Sequence, residues 1–118
     1  MRIAISGIGV VSPFGVGRQR FWDHVRAGCS ATRTFVPEPG MAFLDQPCRV
    51  AAPVPELSAA DLPVVDGDAG RDPRNRADPK RYSRAALIAV IAAREAWADA
   101  GLKVGEPNAG VIIGSGGG

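Results

Sequence analysis

Two apolar runs lie near the two ends of the chain. The first, Arg2 to Val11 (RIAISGIGVV), is short, rich in β-branched residues and closed by Ser12-Pro13-Phe14-Gly15. That pattern predicts a buried strand followed by a turn. Apolar side chains on both faces suit a strand inside a parallel sheet covered by helices. The second run, Ala109 to Gly114 (AGVIIG), predicts another buried strand leading into Ser115-Gly116-Gly117-Gly118.

Between them the period changes from two to about 3.6. Phe21, Trp22, Val25 and the aliphatic stem of Arg18 fall at helical spacing, which predicts a helix over Val16 to Ala27. Gly28 is suited to the left-handed residue just past its end. A longer helix is expected to start at Asp78-Pro79, where Asp caps exposed amides and Pro fits the first turn. It then runs through RYSRAALIAVIAAREAWADA to Gly101. Ala85 to Ala93 is an unbroken apolar stretch, so the middle of this helix should be buried on nearly all sides. Its small alanines leave room for other backbone to approach closely. The pattern weakens from Cys29 to Arg76. Cys48 to Val54 reads as a short strand, confined to an edge by Pro47, Pro53 and Pro55. Asp66 to Asp78 reads as a polar loop, within a flexible stretch of about 55–78. Strand, helix, loop, helix, strand is an α/β order.

Length changes the picture little: 118 residues make one small domain with a modest core. Net charge is +2, too small for strong attraction to nucleic acid, and no run is long enough to span a membrane. Two cysteines, Cys29 and Cys48, form neither a CxxC motif nor a Cys/His cluster. No metal site and no disulfide framework follow, and the chain reads as cytoplasmic. No cofactor is expected. Arg71, Arg74, Arg76, Lys80, Arg81 and Arg84 form a local basic stretch. It reads as a solvated loop and helix start, or as a docking patch for an acidic partner.

Several residues invite a chemical reading. Gly7-x-Gly9-x-x-Ser12 follows a strand and precedes a helix, as in a dinucleotide fingerprint. Ser stands where the third Gly belongs, and no acidic residue ends a second strand about 20 residues on. A tight turn with close backbone packing accounts for the glycines as well. Gly114 to Gly118 would suit a phosphate only with a helix after it. His24, the single histidine, reads as a surface or half-buried helix residue. Cys29 follows a helix C-terminus, the wrong end for a reactive thiolate.

Taken together, the segments resemble the N-terminal portion of the β-ketoacyl synthases, the condensing enzymes of fatty-acid and polyketide assembly. RIAISGIGVVSPFGVG resembles the family's first strand and turn. FWDHVRAGCSAT is similar to its first helix and the Gly-x-Ser turn carried here by Gly28 and Ser30. CRVAAPV resembles its next short strand, DPKRYSRAALIAVIAAREAWADAGL its long helix, and VIIGSGGG the strand and glycine turn beside the acyl pocket.

The resemblance implies a partial thiolase-like fold, an incomplete N-terminal synthase domain over 1–118, and an acyltransferase reaction. It implies acyl carrier protein as partner and a homodimer or heterodimer when complete. The family's nucleophilic cysteine and two histidines do not fall within these residues, so no catalytic residue is carried over and these residues alone are expected to be inactive. A non-catalytic, chain-length-factor-like subunit is the alternative. One position does carry over: Gly117, the second residue after Ser115, is expected to border the acyl pocket and leave room for longer chains. A segment of this kind, with unpaired strand edges, is expected to be marginal or insoluble by itself.

Overall fold

A computed structural model of the chain describes residues 2–34, 47–58, 61–63, 65, 67 and 83–116. The described elements are β1 (Val11–Ser12), β2 (Gly15–Val16), α1 (Arg18–Arg26), β3 (Arg33–Thr34), β4 (Val50–Ala51) and α2 (Arg84–Asp99). They form a mixed α/β arrangement of two helices and two small antiparallel sheets, β1 with β2 and β3 with β4.

The first sheet is a hairpin. Val11 faces Val16 and Ser12 faces Gly15, with Pro13 and Phe14 in the turn. Gly15 has φ +111° and Gly17 φ +112°, values an L side chain adopts only with strain. The Ser12 hydroxyl accepts the Phe14 amide at 3.2 Å and so ties the turn from within. The second sheet pairs Arg33 with Ala51 and Thr34 with Val50. It confirms a strand inside Cys48 to Val54, held to two residues among the prolines on either side.

Helix α1 is two residues shorter at its start than its spacing predicts and ends one earlier, with Gly28 left-handed at φ +69° as expected. Helix α2 begins at Arg84. Ser83 takes an extended conformation and its hydroxyl accepts the Ala86 amide at 3.3 Å, so Ser83, not Asp78, is the cap. Asp78 and Pro79 lie outside the described residues. Beyond its end the Trp97 indole donates to the Lys103 carbonyl at 3.1 Å and closes the last turn.

Three expectations change. Residues 2–10 form no β-ladder, and Ile3 and Ile5 stand exposed. The run Ala109 to Gly114 likewise has no ladder partner, and Val111, Ile112 and Ile113 are exposed. A strand needs a neighbour to take its amides and carbonyls, and among the described residues neither run has one. Helix α2 is fully covered only at Leu87 and Ile91; Ala85 and Ala93 are exposed. Its apolar middle is packed on one side by described residues, not on all. The core there is Val65, Leu87 and Ile91.

Candidate functional site

Helix α2 organises what the described residues hold. On one side it receives residues 7–10 with almost no spacing. A Cβ built on Gly7 would lie 2.1 Å from the Ala96 carbonyl oxygen, and one on Gly9 1.9 Å from that of Ala92. Glycines two apart in the segment thus meet alanines four apart on the helix. This is the close approach that the alanine-rich composition allows, and it explains the Gly7-x-Gly9 pattern without a ligand.

The amides beside those glycines are occupied. Ile8 donates to Asp99 Oδ2 at 3.1 Å and Val10 donates to Glu95 Oε2 at 2.7 Å. Two carboxylates therefore sit where a dinucleotide's pyrophosphate would have to approach, and like charge opposes it. The arrangement gives the glycine pair a packing role.

The other apolar run lies next to residues 6 and 7 on the same alanine face of α2. A cleft of about 290 Å³ is lined by Ser6, Gly7, Ala96, Ala100, Val111 and Ile112. It places the N-terminal segment and the 110–112 stretch side by side over the alanine face. A neighbouring apolar pocket of about 330 Å³ is lined by Val65, Val90, Trp97, Val104, Val111 and Ile113. Gly114, Ser115 and Gly116 follow, exposed, with no atom within 4 Å of a Cβ at either glycine. Gly117, the sequence-derived pocket residue, lies outside the described residues.

The other candidates resolve into local roles. The His24 ring stacks on Phe14, centroids 4.3 Å apart at 20°. Its Nδ1 donates to the Arg20 carbonyl at 2.7 Å, which fixes Nδ1 as the protonated nitrogen. His24 is half-buried, as its helix position implied, and its visible work is to fasten the hairpin turn to α1. Cys29 and Cys48 are both free and exposed. The Cys29 amide donates to the His24 carbonyl at 2.9 Å, the usual closure of a helix end. Among the described residues no three His, Cys, Asp or Glu side chains come together as a metal site.

Of the basic stretch, Arg71 to Arg81 lies outside the described residues. Arg84 is described, and it is engaged. Its guanidinium donates to the carbonyls of Val54 and Pro55 and pairs with Glu56 at 3.6 Å. Arg94 Nε donates to the Pro63 carbonyl at 2.9 Å. Two arginines thus bind residues 54–56 and Pro63 to α2, a role the sequence pattern did not signal because three of these four contacts go to backbone carbonyls. Glu95, and Asp99 in its bond to Ile8, were missed for the same reason: the partners are amides, and amides carry no residue signature.

No described helix is long and apolar enough to cross a membrane. The family model described as β-ketoacyl synthase, N-terminal domain, matches residues 1–118. The tetracenomycin polyketide synthase ketoacyl synthase alpha subunit of Streptomyces glaucescens is 37% identical over 117 residues, covering 97% of this chain and 24% of that protein. The 3-oxoacyl-[acyl-carrier-protein] synthase 2 of Coxiella burnetii is 32% identical over 121 residues, covering 98% and 25%. The chain spans about a quarter of the length of the curated relatives it matches. No solved structure matches it.

Proposed function

The chain belongs to the β-ketoacyl synthase family, as its N-terminal domain, and on that premise we propose that the protein to which it contributes is a condensing acyltransferase of fatty-acid or polyketide assembly. The observation that carries the reading is the match of the whole chain to the family's N-terminal domain. Relatives named as a polyketide ketoacyl synthase subunit and as a 3-oxoacyl-[acyl-carrier-protein] synthase support the same reaction class. The thiolase-like fold of the complete domain belongs to this proposal.

In this reading an acyl group is held as a thioester on an enzyme cysteine. A malonyl thioester on acyl carrier protein loses carbon dioxide, and the carbanion so formed attacks the acyl carbonyl. A carbon–carbon bond forms, the carbon–sulfur bond to the enzyme breaks, and the thiolate returns. None of the reacting side chains is assigned within residues 1–118. The segment contributes a scaffold, α2 with the two apolar runs laid on it, and Gly117 at the edge of the acyl pocket.

The test is direct. Full-length protein incubated with an acyl primer and malonyl-acyl carrier protein should release carbon dioxide and β-ketoacyl product in equal amounts. Absence of product with every primer, together with a residue other than cysteine at the family's nucleophile position, would replace this reading with the non-catalytic, chain-length-factor-like subunit. Within the active protein, Gly117→Ile should shift preference toward shorter primers. An unchanged preference would remove Gly117 from the pocket wall and leave it a packing glycine.

A further inference from the structure

Helix α1 has no side chain of its own that caps its start. Its cap residue is Gly17, which has no side chain to accept an amide, and no acidic residue lies in its first turn. It buries none of its residues, and at nine residues it is too short to persist alone. Yet the first amide of the helix is satisfied. Arg18 N donates to Glu95 Oε1 at 2.7 Å, across 77 residues of sequence.

We infer that Glu95 is the N-cap of α1, supplied from α2, and that it positions α1 and the N-terminal segment together. One carboxylate does both jobs because its oxygens are divided. Oε1 accepts Arg18 N, and Oε2 accepts Val10 N at 2.7 Å. The negative charge lies at the positive end of the α1 dipole, where it is most favourable.

Asp99, one turn on along the same helix, repeats the pattern with a weaker hold. Its Oδ2 accepts Ile8 N at 3.1 Å and its Oδ1 pairs with the Arg18 guanidinium at 2.5 Å. Carboxylates four apart on a helix stand about 6 Å apart. Amides two apart on one edge of a nearly extended segment are spaced by about 6–7 Å. The match fixes the register of residues 8–10 on α2, and Gly7 and Gly9 enforce the same register from below.

The division of the oxygens makes the inference testable by charge and acceptor count instead of size. In Glu95→Gln the side chain is isosteric, but one amide must face an NH2 group. In Asp99→Asn the remaining oxygen still accepts Ile8 N, and the half-exposed Arg18 side chain turns to water. Peptide-resolved hydrogen–deuterium exchange on the full-length protein distinguishes them. Glu95→Gln should speed exchange over residues 8–26 about tenfold or more, the loss expected for a charge-assisted bond, while α2 keeps its protection. Asp99→Asn should change the same region less. Unchanged exchange over 8–26 in Glu95→Gln overturns the inference, as does an equal effect of the two variants. Glu95→Ala adds loss of the side chain; if it does not fold, the isosteric variant decides. The outcome is independent of whether the protein condenses acyl groups.

Discussion

Replacing Gly9 by alanine sets two opposing effects against each other, and the structure fixes which prevails. Gly9 does not require a positive φ, so alanine could adopt its backbone, and reducing the freedom of the unfolded chain would stabilise by about 0.4–1 kcal/mol. Against this, the new Cβ would lie 1.9 Å from the Ala92 carbonyl oxygen and 2.7 Å from the Ala96 nitrogen. Both are helix backbone, which cannot rotate away as a side chain would. Reaching an ordinary contact of about 3.4 Å requires the segment to lift by about 1.5 Å from α2. Overpacking of that kind costs about 1–3 kcal/mol. The same movement takes Val10 N out of range of Glu95 Oε2, now at 2.7 Å, and losing a hydrogen bond to a charged group costs about 1.5–3 kcal/mol. The net is a destabilisation of about 2–5 kcal/mol. Gly28→Ala serves as reference: its φ of +69° is strained for alanine but nothing lies within 4 Å, so about 1–2 kcal/mol is expected. Urea unfolding of the full-length protein, followed by circular dichroism, should rank Gly9→Ala well below Gly28→Ala, and both below the parent. A Gly9→Ala midpoint equal to or above the parent would refute the close-packing argument.

Other substitutions probe α2 itself. Ile91 is wholly buried, so Ile91→Ala should lower stability by about 2–5 kcal/mol in the same titration. Ser83→Ala removes the only side-chain cap of α2 and should cost about 0.5–2 kcal/mol, while Ser83→Asp should retain most of the stability. Trp97→Phe keeps the ring but loses the indole bond to Lys103, and a decrease of about 0.5–1.5 kcal/mol is expected by thermal unfolding.

Much of the scaffold was legible because it rests on local rules. Gly28 ends α1 in the left-handed conformation that its position implied. The Cys48 to Val54 run contains a strand confined by prolines. The Gly7 and Gly9 pair, weighed as a ligand turn or as close packing, packs against the alanines of α2. What stayed hidden depends on partners far along the chain. Arg2 to Val11 and Ala109 to Gly114 carry strong strand signals, but a ladder needs a second strand, and local apolar pattern cannot say where it is. The start of α2 was misplaced because Asp78-Pro79 and Ser83 are both good starts, and local chemistry does not rank them. Glu95 carries no local signal at all, since its role is defined by amides 77 and 85 residues away. The acyl-pocket position, Gly117, came from family likeness and not from any pattern in the chain.

The reach of those two amide bonds, and of the Ile8 bond to Asp99 across 91 residues, has a consequence for the order of synthesis. A ribosome adds roughly 5–20 residues per second. After Ile8 is made, roughly 5–20 s pass before Asp99 exists to receive its amide, and longer before α2 clears the exit tunnel. Throughout that interval residues 8–10 lack the carboxylates that take their amides in the folded protein. Holding chaperones have their opening there, and it closes when the helix bearing Glu95 and Asp99 arrives.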